Sequence, residues 1–128
     1  MSDPDVTEAV QSFIRECVPN VDAIELLLAM AEYPERTFGM RDFFTKIRGT
    51  GASDAVLRRY LASFERCGAI TEHNGAYRFA PTSSDMEAIV RVLAKLYTER
   101  PVTLVRLIYT LREERIRAFA DAFKLKKP

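Results

Sequence analysis

Apolar side chains recur at helical spacing along most of this chain, interrupted once by a short stretch of strand-like alternation. Val6, Val10, Phe13, Ile14 and Cys17 fall at i, i+4, i+7, i+8 and i+11, one stripe of a helix over about 4–17 that Pro19-Asn20 ends. Asp22 to about Tyr33 reads as a second helix. Ile24, Leu26, Leu27, Leu28, Ala29, Met30 and Ala31 leave it little polar face, the pattern of a helix in the middle of a core. Pro34 stops it. Arg36-Thr37-Phe38 suits a short strand, and Gly39 to about Arg48 a third helix with Met40, Phe43, Phe44 and Ile47 inward. Gly49-Thr50-Gly51-Ala52 reads as a tight turn, its glycines free to take unusual dihedrals.

Ser53 to Cys67 reads as a fourth helix. The Ser53 hydroxyl is placed to accept an early backbone N–H, and Leu57, Tyr60, Leu61 and Phe64 form the inner stripe. Gly68 stops it as a C′ glycine. Two strands follow, Ala69–His73 and Ala76–Ala80, joined by Asn74-Gly75, the preferred filling of a type I′ turn. After Pro81, Ser84 and Glu87 have the spacing of a capping box for a helix to about Glu99, with Met86, Ile89, Val90, Leu93, Leu96 and Tyr97 inward. Pro101 suits the first turn of the next helix, which carries Val105, Ile108 and Tyr109. A second S/T-x-x-E pattern, Thr110 to Glu113, predicts a break near 110. A last helix of about 111–124 would be built on Ile116, Phe119, Ala120 and Phe123. The pattern thus predicts a mainly α chain with a small β-ribbon. It reads as a single domain over 1–128: an N-terminal helix (1–20), a central unit (21–80) and C-terminal helices (81–128).

Composition narrows the classes. Nearly half of the 128 residues are apolar and 29% are charged, a globular balance. The longest apolar run, around Leu26–Ala31, is far short of the roughly 20 residues that cross a bilayer. The acidic start, MSDPDVTEAV, lacks the basic and apolar regions of a signal peptide. Two cysteines, Cys17 and Cys67, fit small apolar roles in a reducing cytoplasm better than a disulfide scaffold. The net charge of +1 conceals an asymmetry: residues 1–35 hold one basic and eight acidic side chains, 36–80 eight and four, 81–128 ten and six. An acidic segment on a basic remainder either orients a polyanion or pairs internally.

Helix, short strand, helix, turn, helix and two-stranded ribbon over residues 21–80, with the phrase LRRYLASFERCGAITEHNGAYRFAP, resemble the winged-helix form of the helix-turn-helix. The flanking helices, with RPVTLVRLIY and IRAFADAFKLKK, resemble those of a group of small bacterial winged-helix proteins of unsettled function. The first resemblance implies a winged helix with additional N- and C-terminal helices, a transcription regulator, and double-stranded DNA as partner. Carried over position by position, it sets Ser53, Asp54, Arg58 and Arg59 toward the major groove. The wing tip, His73, Asn74 and Gly75, reaches toward the minor groove, with Arg78 behind it. Arg41, Lys46 and Arg48 fall beside flanking phosphates. The chemistry is consistent: arginine grips guanine or phosphate bidentately, and a serine-capped helix start suits phosphate oxygens. Asp54 and Glu72 oppose it, and the wing tip carries no Lys or Arg.

No Gly-rich phosphate loop, H-E-x-x-H or nucleophile–base set appears, so no enzyme and no cofactor is expected. His73 is the only histidine, too few ligands for a metal site. The alternative to DNA binding is a protein-contact or adaptor module using the same unit. A third reading is a ligand sensor with a pocket between the C-terminal helices and the core. The flanking helices are expected to support a homodimer, since symmetric half-sites match symmetric proteins. The expected location is the cytoplasm.

Overall fold

The computed structural model describes residues 6–45 and 53–125. In order, the elements are α1 (Glu8–Cys17), α2 (Val21–Glu32), β1 (Thr37–Phe38), α3 (Met40–Thr45), α4 (Asp54–Arg66), β2 (Ile70–His73), β3 (Ala76–Phe79), α5 (Ser84–Glu99) and α6 (Pro101–Leu125). The chain is mainly helical with a small antiparallel sheet, as the pattern predicts. The sheet has three strands in the order β1-β3-β2, so the short strand joins the ribbon along its β3 edge. The Gly49–Ala52 turn lies outside the described residues.

Helix α2 lies in the centre. Ala23, Ile24, Leu26, Leu27 and Met30 are fully covered, and each buried Leu or Ile contributes roughly 1.5–3 kcal/mol. The cover comes mainly from α5 and β3. Asn20 starts α2 and ties it across the core. Its side-chain oxygen accepts the Ala23 N–H at 2.9 Å, while its amide donates to the Tyr60 hydroxyl of α4 at 2.8 Å. At the other end of α4, the Ala69 N–H reaches the Phe64 carbonyl at 2.9 Å and the Gly68 N–H that of Glu65 at 3.1 Å, the paired bonds of a Schellman stop. Gly68 sits at φ +84°, and a Cβ there would fall 2.5 Å from the Thr82 hydroxyl. The turn after β2 has Asn74 at φ 53° and Gly75 at φ 82°, as a type I′ turn requires.

Four expectations change. Helix α1 starts at Glu8, later than the pattern predicts, because Thr7 caps it by accepting from Val10 N–H. Helix α5 is capped by Ser83, whose hydroxyl accepts from Met86 N–H at 3.1 Å. The expected Ser84–Glu87 box is therefore not formed, and Glu87 instead binds Arg91 at 3.0 Å. The break near 110 is absent: α6 runs unbroken for 25 residues. No Gly or Pro interrupts it after Pro101, and Leu111 continues the buried stripe of Leu104 and Ile108. Tyr97, Ile116 and Phe119, expected to face inward, are instead exposed.

The largest correction concerns the cysteines. Cys17 and Cys67 form a disulfide, with their Cα atoms 6.6 Å apart. Spacing along the chain conceals this, since the two lie 50 residues apart. The fold lays the last turn of α1 beside the end of α4, where Arg66 donates to the Glu16 carbonyl at 3.3 Å.

Two stability predictions follow from these junctions. Replacing both cysteines by serine frees a 50-residue loop in the unfolded chain, and urea unfolding is expected to show a loss approaching about 4 kcal/mol. Gly68→Ala is expected to lose more than about 1 kcal/mol in the same assay, because alanine is strained at positive φ.

Candidate functional site

The N-terminal turn of α4 and the outer side of the sheet form the candidate surface. Ser53 caps α4 by accepting from Val56 N–H at 3.3 Å and is itself exposed. One turn on, the Asp54 carboxylate holds the Arg58 guanidinium at 2.7 Å. That hydrogen bond, then the carboxylate's charge, raises the Arg58 pKa above its ordinary value, with a lesser contribution from the Tyr77 phenol. Asp54 and Arg58 are therefore one neutral unit. Arg59 is different: it is exposed and forms no ion pair among the described residues.

Strand β3, in the middle of the sheet, carries Arg78. Register pairs Arg78 with Thr37 of β1 on one side and Thr71 of β2 on the other, and all three are exposed. On the alternate positions, Phe79 and Ile70 are buried as a pair, and Tyr77 packs half-buried against Phe43, ring centres 6.2 Å apart. Tyr77 and Phe79 thus pack on the core. Thr37 and Thr71 are additions that the sequence did not single out, because the β1–β3 register depends on a tertiary contact. Period-two alternation is the only local signal for them.

At the ribbon tip His73, Asn74 and Gly75 are exposed. The Glu72 carboxylate accepts the Gly75 N–H at 2.7 Å, so the acidic residue braces the turn. Arg66 lies away from the Ser53 end, engaged with α1. Arg41 is exposed on α3. Lys46 and Arg48 lie outside the described residues. The structure thus sets Ser53, Arg58 and Arg59 within the first two turns of α4 and places Arg78 on the outer sheet row. None of the described polar or charged side chains is buried.

A separate cleft of about 660 Å³ opens between α2 and α5, where the ligand-sensor reading places a pocket. Leu28, Val90 and Phe79 line its apolar part, and Glu25, Glu32 and Glu87 are its acidic groups. The Tyr97 hydroxyl donates to Glu25 at 2.6 Å, linking α5 to α2. That bond, then burial and the Glu25 charge, raises the Tyr97 pKa above 10. A raised phenol pKa stabilises the fold below the unfolded value of about 10 and ceases to do so as pH rises through the folded value. Urea unfolding across that alkaline range is expected to show a steeper loss for the native chain than for Tyr97→Phe.

No family model, no curated protein and no solved structure matches the chain.

Proposed function

We propose that the chain is a winged-helix DNA-binding protein acting in the cytoplasm as a transcription regulator. The observation that carries this reading is the exposed start of α4. A serine-capped helix start leads to Arg59, which is exposed and pairs with no carboxylate among the described residues. The order helix, strand, helix, helix, strand, strand, with the short strand closing the sheet, supports the winged-helix assignment. In this reading α4 enters the major groove, Arg59 reads guanine or grips phosphate, and Arg58 joins it when Asp54 is released or turned to a cytosine amine. Arg78, with Thr37 and Thr71 beside it, meets the backbone, and the Asn74-Gly75 tip follows the neighbouring groove. Arg41, Lys46 and Arg48 hold flanking phosphates. A cytoplasmic location exposes the Cys17–Cys67 bond to reduction, so the non-covalent contacts between α1 and α4 must hold the dithiol form.

A protein-contact role is the second reading. It is favoured by the Asp54–Arg58 pair and by Glu72 at the ribbon turn, which leave the face only lightly basic.

Fluorescence anisotropy with labelled random duplex at roughly 50 mM salt separates the two. DNA binding predicts saturable association that weakens with salt. Arg59→Ala and Arg78→Ala would each remove about one unit from the log–log salt slope. Asp54→Asn frees Arg58 and is expected to tighten binding. Absence of association at that salt would reject DNA and leave the protein-contact role, and binding indifferent to both arginine variants would reject this face as the DNA surface.

A further inference from the structure

Helix α6 carries two apolar faces, and among the described residues only one is buried. Leu104, Ile108 and Leu111 are buried where α6 packs on α1 and α5. Val102, Tyr109 and Ile116 are 62%, 56% and 58% exposed. They stand seven residues apart, within about 40° of one another around the helix. That row lies between about 100° and 160° from the buried stripe. A seven-residue apolar repeat supplies one of the two apolar positions per heptad that paired, supercoiled helices bring together. Val102, Tyr109 and Ile116 together set an exposed apolar row along the longest described helix.

The charges beside the row identify the occupant. Glu114 and Arg115 are engaged within the chain, with the Arg15 side chain at 4.0 Å and the Arg15 carbonyl at 3.3 Å. Arg106 and Glu113 are exposed and form no ion pair among the described residues. Both flank the same side of the row, three residues before Tyr109 and four after it. We propose that α6 pairs antiparallel with α6 of a second copy of this chain, about a two-fold axis near Tyr109. That axis sets Tyr109 against its symmetry mate, Val102 against the partner's Ile116, and Arg106 against the partner's Glu113. Opposite charges then meet twice across the seam. A parallel pair would instead set Val102 against the partner's Val102 and Ile116 against the partner's Ile116. The pairing does not depend on what α4 binds.

Light scattering after size exclusion on the full chain is expected to give twice 14.6 kDa. Tyr109→Glu is expected to give a monomer with an unchanged far-ultraviolet spectrum. Arg106→Glu alone is expected to weaken the dimer at least tenfold, and adding Glu113→Arg to restore it. On oxidation followed by non-reducing electrophoresis, Tyr109→Cys crosslinks to itself. Val102→Cys does not, but crosslinks when mixed with Ile116→Cys. A monomer at every concentration overturns the proposal and leaves the row to a helix of another protein. So does a dimer indifferent to Tyr109→Glu, and self-crosslinking of Val102→Cys overturns the antiparallel arrangement.

Discussion

The apolar circumference of α2 is the constraint on which the rest of the structure depends. A helix with Ile24, Leu26, Leu27 and Met30 wholly out of water cannot be satisfied by one neighbour. It needs a helix on one side and a sheet on another, and α5 and β3 supply them. The sheet must then offer one apolar face inward, which Phe38, Ile70 and Phe79 provide. Its alternate residues are thereby forced outward, and this is why Arg78 and its threonine neighbours reach solvent. The placement of the candidate surface follows from covering a single helix.

Helix α4 is fixed at its middle and its C-terminal end by contacts that do not involve its outer face. Tyr60 is held by Asn20 near its middle, and the Gly68 stop and the disulfide hold its end. The outer positions are consequently free to serve a partner without disturbing the fold. Electrostatics on that face is subtle because acidic side chains have local work: Asp54 sits in the first turn of a helix, where the macrodipole favours it, and Glu72 satisfies a turn amide. Each costs the surface some positive charge while stabilising the scaffold that presents it.

Much of this was legible in the sequence where local chemistry decides. Ser53, Gly68 and Asn74-Gly75 mark their boundaries because caps, stops and type I′ turns depend on residues a few positions apart. Leu57, Tyr60, Leu61 and Phe64 declare their face by period alone. Legibility failed where the deciding partner is distant. The Cys17–Cys67 bond, the β1–β3 register and the Tyr97–Glu25 bond each join residues that no local pattern connects. Thr110–Glu113 misled for a related reason: the spacing of a capping box says nothing about whether the helix has already begun. Ile116 and Phe119 read as inward because periodicity shows that a face is apolar, not what covers it. At the candidate surface, the arginines were readable by type, but the difference between Arg58 and Arg59 lies in one side-chain rotamer contact.

The disulfide also divides the chain topologically. Its loop encloses α2, β1, α3 and α4, whereas β2, β3, α5 and α6 hang outside it on one arm. A backbone cut anywhere from 18 to 66 leaves both fragments on one covalent framework, able to reassemble at high effective concentration. A cut between Cys67 and β2 lets the arm diffuse away, taking with it the ribbon that covers α2. The same protein is thus tolerant of cleavage on one side of Cys67 and vulnerable on the other.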